Sequence, residues 1–163
     1  MNHDTTAAPI SIGKYVWALL IVQFVFGIAA TLLELAAKVE LPSSIGIVGT
    51  LASCYLAAHL FVGDHKRVPV PSEKRRFATW GTVGSIVTFV AVVLGYMLVA
   101  AGPGEIGATA ASVPGEIKAR PGFAAAILLG ALLFALLTFG ILYGIFGSFA
   151  KTSVKRLEKS MQA

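Results

Sequence analysis

Four stretches of this chain, residues 15–33, 41–63, 77–104 and 121–150, contain no Asp, Glu, Lys or Arg. An α-helix rises about 1.5 Å per residue, so about 20 residues cross a hydrocarbon layer roughly 30 Å thick. The first run nearly suffices and the other three have residues to spare. Their apolar character is continuous, without the in-out alternation of a membrane barrel strand, so helices are expected. The expected spans are 15–36, 44–63, 78–101 and 123–149, an all-α bundle of four transmembrane helices in up-down-up-down order. Residues 1–163 then form a single membrane domain. Hydrophobic residues make up 56% of the chain and charged residues 13%, and with a mean hydropathy of +0.81 no second composition block suggests an appended soluble module. The first run is expected to be a permanent span. Only Lys14 precedes it among basic residues, the run is longer than a signal core, and 31–34 offers no small-residue cleavage site.

Basic residues are distributed unevenly between the two sides that this order defines. Lys14, Lys66, Arg67, Lys74, Arg75, Arg76, Lys151, Lys155, Arg156 and Lys159 fall on one side, and Lys38, Lys118 and Arg120 on the other. The positive-inside rule predicts both termini and the middle loop in the cytoplasm. Tyr15, Trp17 and Trp80 would then lie at cytoplasmic headgroup depth, where amphipathic rings are favoured. The formal charge of +5 does not point to nucleic acid, because the basic residues sit between apolar runs rather than on one polar face. Anionic lipid headgroups are the expected partner, with Lys66, Arg67, Lys74, Arg75 and Arg76 as the contacts.

Small residues suggest where helices approach closely. Gly46, Gly49, Ser53 and Ala57 share a stripe of the second span, and Gly140 and Gly144 form a GxxxG pair in the fourth. Packing within one chain is the expected use of both, with a homo-oligomer or another membrane protein as the alternative. Gly81, Ser85, Thr88, Ala91 and Gly95 give the third span a similar character. Between the last two spans, Pro-Gly-Glu-Ile occurs at 103–106 and again at 114–117, which reads as a hairpin or a pair of turns.

Polar groups inside a membrane are costly, so each needs a reason. Gln23 lies nine residues beyond Lys14, about 13 Å along the helix and close to the bilayer centre. Ser53, Ser85, Thr88 and Thr138 are at comparable depths once the alternating directions of the spans are allowed for. An interhelical hydrogen-bond cluster around Gln23 is expected, a structural role first and a substrate contact second. His59, with Tyr55 one turn away, is the histidine within a span, and near the headgroups it reads as a packed or snorkelling residue before a proton relay. Glu34 and Lys38, four residues apart, read as an outer-interface ion pair.

Several chemistries lack their residues. One intramembrane histidine cannot supply both axial ligands of a membrane haem, and Cys54, the single cysteine, excludes an intrachain disulfide and any paired-thiol motif. Cys54 is expected to be a small buried apolar residue. No metalloprotease motif is present, and Glu34 lies at the edge of the first span rather than deep within it. No catalytic residue, metal or cofactor is therefore expected.

The segment 61–76, Phe-Val-Gly-Asp-His-Lys-Arg-Val-Pro-Val-Pro-Ser-Glu-Lys-Arg-Arg, is the most distinctive in the chain. Pro69 and Pro71 enforce an extended path, Ser72 is the expected cap of the third helix, and Glu73 suits its first turn. With Leu41-Pro42-Ser43-Ser44 at the start of the second span, this loop resembles a family of small bacterial four-span inner-membrane proteins. The resemblance covers roughly the first three spans. It implies bacterial origin, inner-membrane location and four-span topology, and it carries no activity or site residues. The expected function is that of a non-enzymatic membrane protein acting through lipid or protein contacts, as an accessory subunit, regulator or immunity-type protector. The alternative is a small transporter or channel whose pathway uses Gln23.

Overall fold

The computed structural model describes residues 10–38, 42, 44–100 and 121–162, together with Gly104, Gly107, Ala108, Ala111 and Gly115. Four helices dominate: α1 (Gly13–Ala37), α2 (Ser44–His65), α3 (Pro71–Ala100) and α4 (Pro121–Gln162). Each is long and apolar enough to cross a membrane. The all-α four-helix bundle expected from the charge-free runs is the observed fold. The Pro-Gly-Glu-Ile repeat lies outside the described residues, Gly104 and Gly115 apart.

The helices form a ring in the order α1, α2, α4, α3. Neighbours in that ring touch, whereas the diagonals α1 with α4 and α2 with α3 make no backbone contact among the described residues. The connection between α2 and α3, residues 66–70, must therefore cross the square. With neighbouring axes about 8–10 Å apart, the diagonal is about 13 Å. Five residues of extended chain reach about 17 Å, and Pro69 and Pro71 hold the segment extended.

The start of α3 follows from this loop. Pro71 occupies the first helical position, where its missing N–H costs nothing. Glu73 Oε2 accepts the Val70 backbone N–H at 2.9 Å, and the Val70 carbonyl accepts the Lys74 N–H at 3.0 Å. Glu73 thus closes half of a capping box. Ser72, the expected cap, lies inside the first turn instead, because the helix starts seven residues before the expected span. The fourth helix also outruns expectation: α4 continues past 149 to Gln162 as one helix of 42 residues, about 63 Å long. Its Val154 and Leu157 pack against the core beyond the expected span end.

Most of the buried side chains described lie in the half of the bundle that carries the basic loop. None is buried in α1 after Leu19, in α2 before Gly49, in α3 after Thr82 or in α4 before Thr138. An aromatic chain joins the four helices within this basic half. Tyr15 meets Phe61 edge-on at 5.2 Å, Phe61 meets Phe146 at 5.8 Å, and Phe146 stacks on Phe77 at 4.0 Å. The sequence of contacts follows the ring, α1 to α2 to α4 to α3. Such pairs add about 0.5–1.5 kcal/mol each beyond the area they bury. Leu19, Leu142 and Cys54 complete the packed layer, each fully buried.

Close approach is carried by glycines other than the expected GxxxG pair. A Cβ at Gly49 would lie 2.5 Å from the Phe26 ring, and one at Gly84 would lie 2.5 Å from a Leu20 methyl. Gly140 and Gly144 have nothing within 4 Å. Their expected role in packing within the chain is therefore not observed, since that face of α4 points away from its neighbours.

Candidate functional site

In the opposite, distal half of the bundle the helices frame a half-open cavity of about 560 Å³. Its walls are mostly apolar and include Phe26, Val92 and Phe134. Gln23, Ser85, Thr88 and Thr138 line it as well. Ser85 Oγ donates to Gln23 Oε1 at 2.8 Å, tying α3 to α1. The nitrogen of the Gln23 amide has no hydrogen-bond partner among the described residues. Two N–H donors are therefore available to a molecule in the cavity.

Four of the five hydrogen-bonding residues expected to cluster do share this space. Ser53 does not: it is buried, and its hydroxyl donates to the Thr50 carbonyl of its own helix at 2.9 Å. His59 is also elsewhere, exposed on α2 and stacked on Tyr55 with the rings 6.2 Å apart. A relay through the bundle interior has no support from that position. Sequence reading passed over Thr82, whose buried hydroxyl has no partner among the described residues. Thr82 precedes Ser85 by one turn, and a threonine in an apolar helix gives no signal of being unpaired.

The basic end holds a separate polar network. Tyr15 Oη donates to Asp64 at 2.7 Å and lies 3.0 Å from His65 Nε2, while Lys14 pairs with Asp64 at 2.9 Å. Since the phenol has one proton, His65 Nε2 is the donor in the second contact. Tyr15 is thus buried among protein groups. Trp17 and Trp80 do face outward, 66% and 64% exposed.

Arg67, one of the expected headgroup contacts, is paired within the chain. Its guanidinium donates to both Glu73 oxygens, at 2.9 and 2.6 Å, and lies over the Phe61 ring at 5.5 Å. Hydrogen bonding to Glu73 raises its pKa above the ordinary arginine value. The loop folds inward here because crossing the diagonal carries it over the aromatic layer. Lys74 lies along α4, its Nζ 3.0 Å from where a Gly147 Cβ would be. Lys66, Arg75 and Arg76 are exposed. No group of three or more potential metal ligands occurs among the described residues.

Comparison of the chain with protein families, with curated proteins and with solved structures finds no match. The functional reading therefore rests on geometry.

Proposed function

We propose that this chain is a non-enzymatic protein of the bacterial inner membrane, with both termini in the cytoplasm, that holds a lipid-like molecule in its distal cavity. The occupant would have an apolar body and an oxygen able to accept a hydrogen bond. The observation that carries this reading is Gln23, which lines an otherwise mostly apolar cavity with its two amide N–H donors unmatched. A cavity of about 560 Å³ is within the size range of small-molecule sites. Unmatched donors in a low-dielectric space favour an acceptor-bearing occupant over a plain hydrocarbon. An accessory or regulatory role follows, in which the bound molecule tunes how the bundle meets its membrane surroundings.

A transport reading draws on the same polar side chains. It is the weaker one, because the packed layer of Leu19, Phe61, Phe77, Leu142 and Phe146 lies between the cavity and the basic end.

Photolabelling tests the proposal. In nanodiscs containing a phospholipid with a diazirine in its acyl chain, adducts are expected to concentrate on residues 23–27 and 85–92 over the exposed stretch 128–133 of α4, which does not line the cavity. Thr88→Trp, which fills the cavity, should lower the first set several-fold and leave the α4 adducts unchanged. Even labelling of both regions, or no effect of the tryptophan, would refute the cavity as a binding site.

A further inference from the structure

A second recess lies outside the bundle core, on the seam between α1 and α3 at the basic end. It encloses about 590 Å³. Arg76 and Ser11 line it, Trp17 and Trp80 flank it, and Leu20 and Val83 continue it toward the membrane interior. No residue lines both this groove and the distal cavity.

Three properties of the groove identify its occupant. The first is charge: Arg76 brings a guanidinium into a recess that no carboxylate lines among the described residues. Of the described carboxylates at this end, Asp64 is engaged by Lys14 and Tyr15 and Glu73 by Arg67. A planar guanidinium without a carboxylate matches a phosphate diester. The second is the exposed indole pair, since tryptophan rings favour the headgroup boundary where one edge is wet and the other apolar.

The third is depth. From Arg76 to Gly84, where the Leu20 methyls close on α3, the groove follows eight residues, about 12 Å of helix. Such a length accommodates a headgroup, its glycerol and the first carbons of a chain. A free phosphate would use only the mouth.

We propose that this groove binds one anionic glycerophospholipid, with its phosphate on Arg76, its glycerol between Trp17 and Trp80, and an acyl chain over Leu20 and Val83. The site goes beyond the distal cavity and stands whether or not that cavity is occupied. Arg75, the neighbouring exposed arginine, is outside the groove and contributes only general surface charge.

Trp17 and Trp80 are the two tryptophans of the chain, so intrinsic tryptophan fluorescence reports on this groove. The experiment compares quenching by brominated phosphatidylglycerol and by brominated phosphatidylcholine, each titrated into phosphatidylcholine nanodiscs holding the full chain. The anionic lipid should quench at about fivefold lower mole fraction, the factor that one basic residue is worth at an anionic surface. Arg76→Gln should abolish the preference, Arg76→Lys should keep part of it, and Arg75→Gln should leave it intact. Inorganic phosphate should not relieve the quenching. Equal quenching by the two lipids, equal loss in the Arg75 and Arg76 variants, or relief by inorganic phosphate would each overturn the proposal. Because Thr88 is absent from the groove, a failed cavity-labelling test leaves this result unaffected.

Discussion

Ser85 of α3 donates its hydroxyl proton to Oε1 of Gln23 on α1 at 2.8 Å, a bond between positions 62 residues apart. It joins two parallel neighbours of the ring beside the distal cavity. Interhelical bonds of this kind contribute about 1 kcal/mol in a membrane. Gln23→Leu and Ser85→Ala should each lower stability by about that amount, and the double variant should lose little more, since one bond is shared. Thermal melts in detergent provide the measurement, and fully additive losses would show that the bond is not formed. The Gln23→Leu protein should still insert and keep most of its stability. Its cavity should lose the preference for acceptor-bearing ligands.

Phe146 touches both Phe61 and Phe77 and so links three of the four helices. Phe146→Ala is predicted to be the most damaging single truncation in the bundle, by about 3–5 kcal/mol, through lost contacts and the cavity left behind. Leu132→Ala, at an exposed position of α4, should change stability by less than about 1 kcal/mol, because its side chain already faces outward. Comparable losses for the two variants in urea or heat unfolding would contradict the observed core.

Glycine substitutions separate the two small-residue stripes. Gly49→Ala places a methyl group 2.5 Å from the Phe26 ring and should lower the melting temperature, at a cost of about 1–3 kcal/mol from overpacking. Gly144→Ala meets nothing within 4 Å and should be neutral or stabilising, because alanine is the better helix former. A larger loss at Gly144 would mean that this face of α4 is covered by a second copy of the chain, and its dependence on protein concentration would distinguish that outcome from internal packing.

Glu73 has two tasks, pairing with Arg67 and accepting the Val70 N–H at the start of α3. Glu73→Ala should therefore cost more than Arg67→Ala, by about 1 kcal/mol for the lost backbone bond. Hydrogen exchange at residues 70–74 should rise in the glutamate variant. An equal effect of the two substitutions would mean that the cap contributes nothing.

Orientation rests on the ten-to-three distribution of Lys and Arg. In a Cys54→Ser background, single cysteines replacing Val70 and Ala110 are expected to react with an impermeant maleimide from opposite sides of the membrane. Position 70 should be protected in intact cells and position 110 labelled. The reverse pattern would invert the topology, and labelling of both from one side would remove the third crossing.

The number, kind and approximate extent of the helices were legible in the sequence because charge-free length is a local property. A run such as 77–104 has one low-energy way to satisfy its backbone in lipid. The start of α3 was partly legible too, through Glu73 in its first turn, whereas Pro71, read as extended, is the first residue of the helix. Which face of each helix meets which neighbour was not. In water an apolar stripe marks the inward face, but a membrane helix is apolar all round, and lipid tails are as hydrophobic as a protein core. Gly140 and Gly144 thus look as suitable for packing as Gly49, and only the tertiary structure turns the first two outward and sets the third against Phe26. The same ambiguity covers Ser53, whose depth fits the Gln23 cluster but whose hydroxyl turns to the Thr50 carbonyl of its own helix. Depth along a helix is written in the sequence at about 1.5 Å per residue; rotation about its axis was decided by the ring order α1, α2, α4, α3, which depends on how all four surfaces fit together at once.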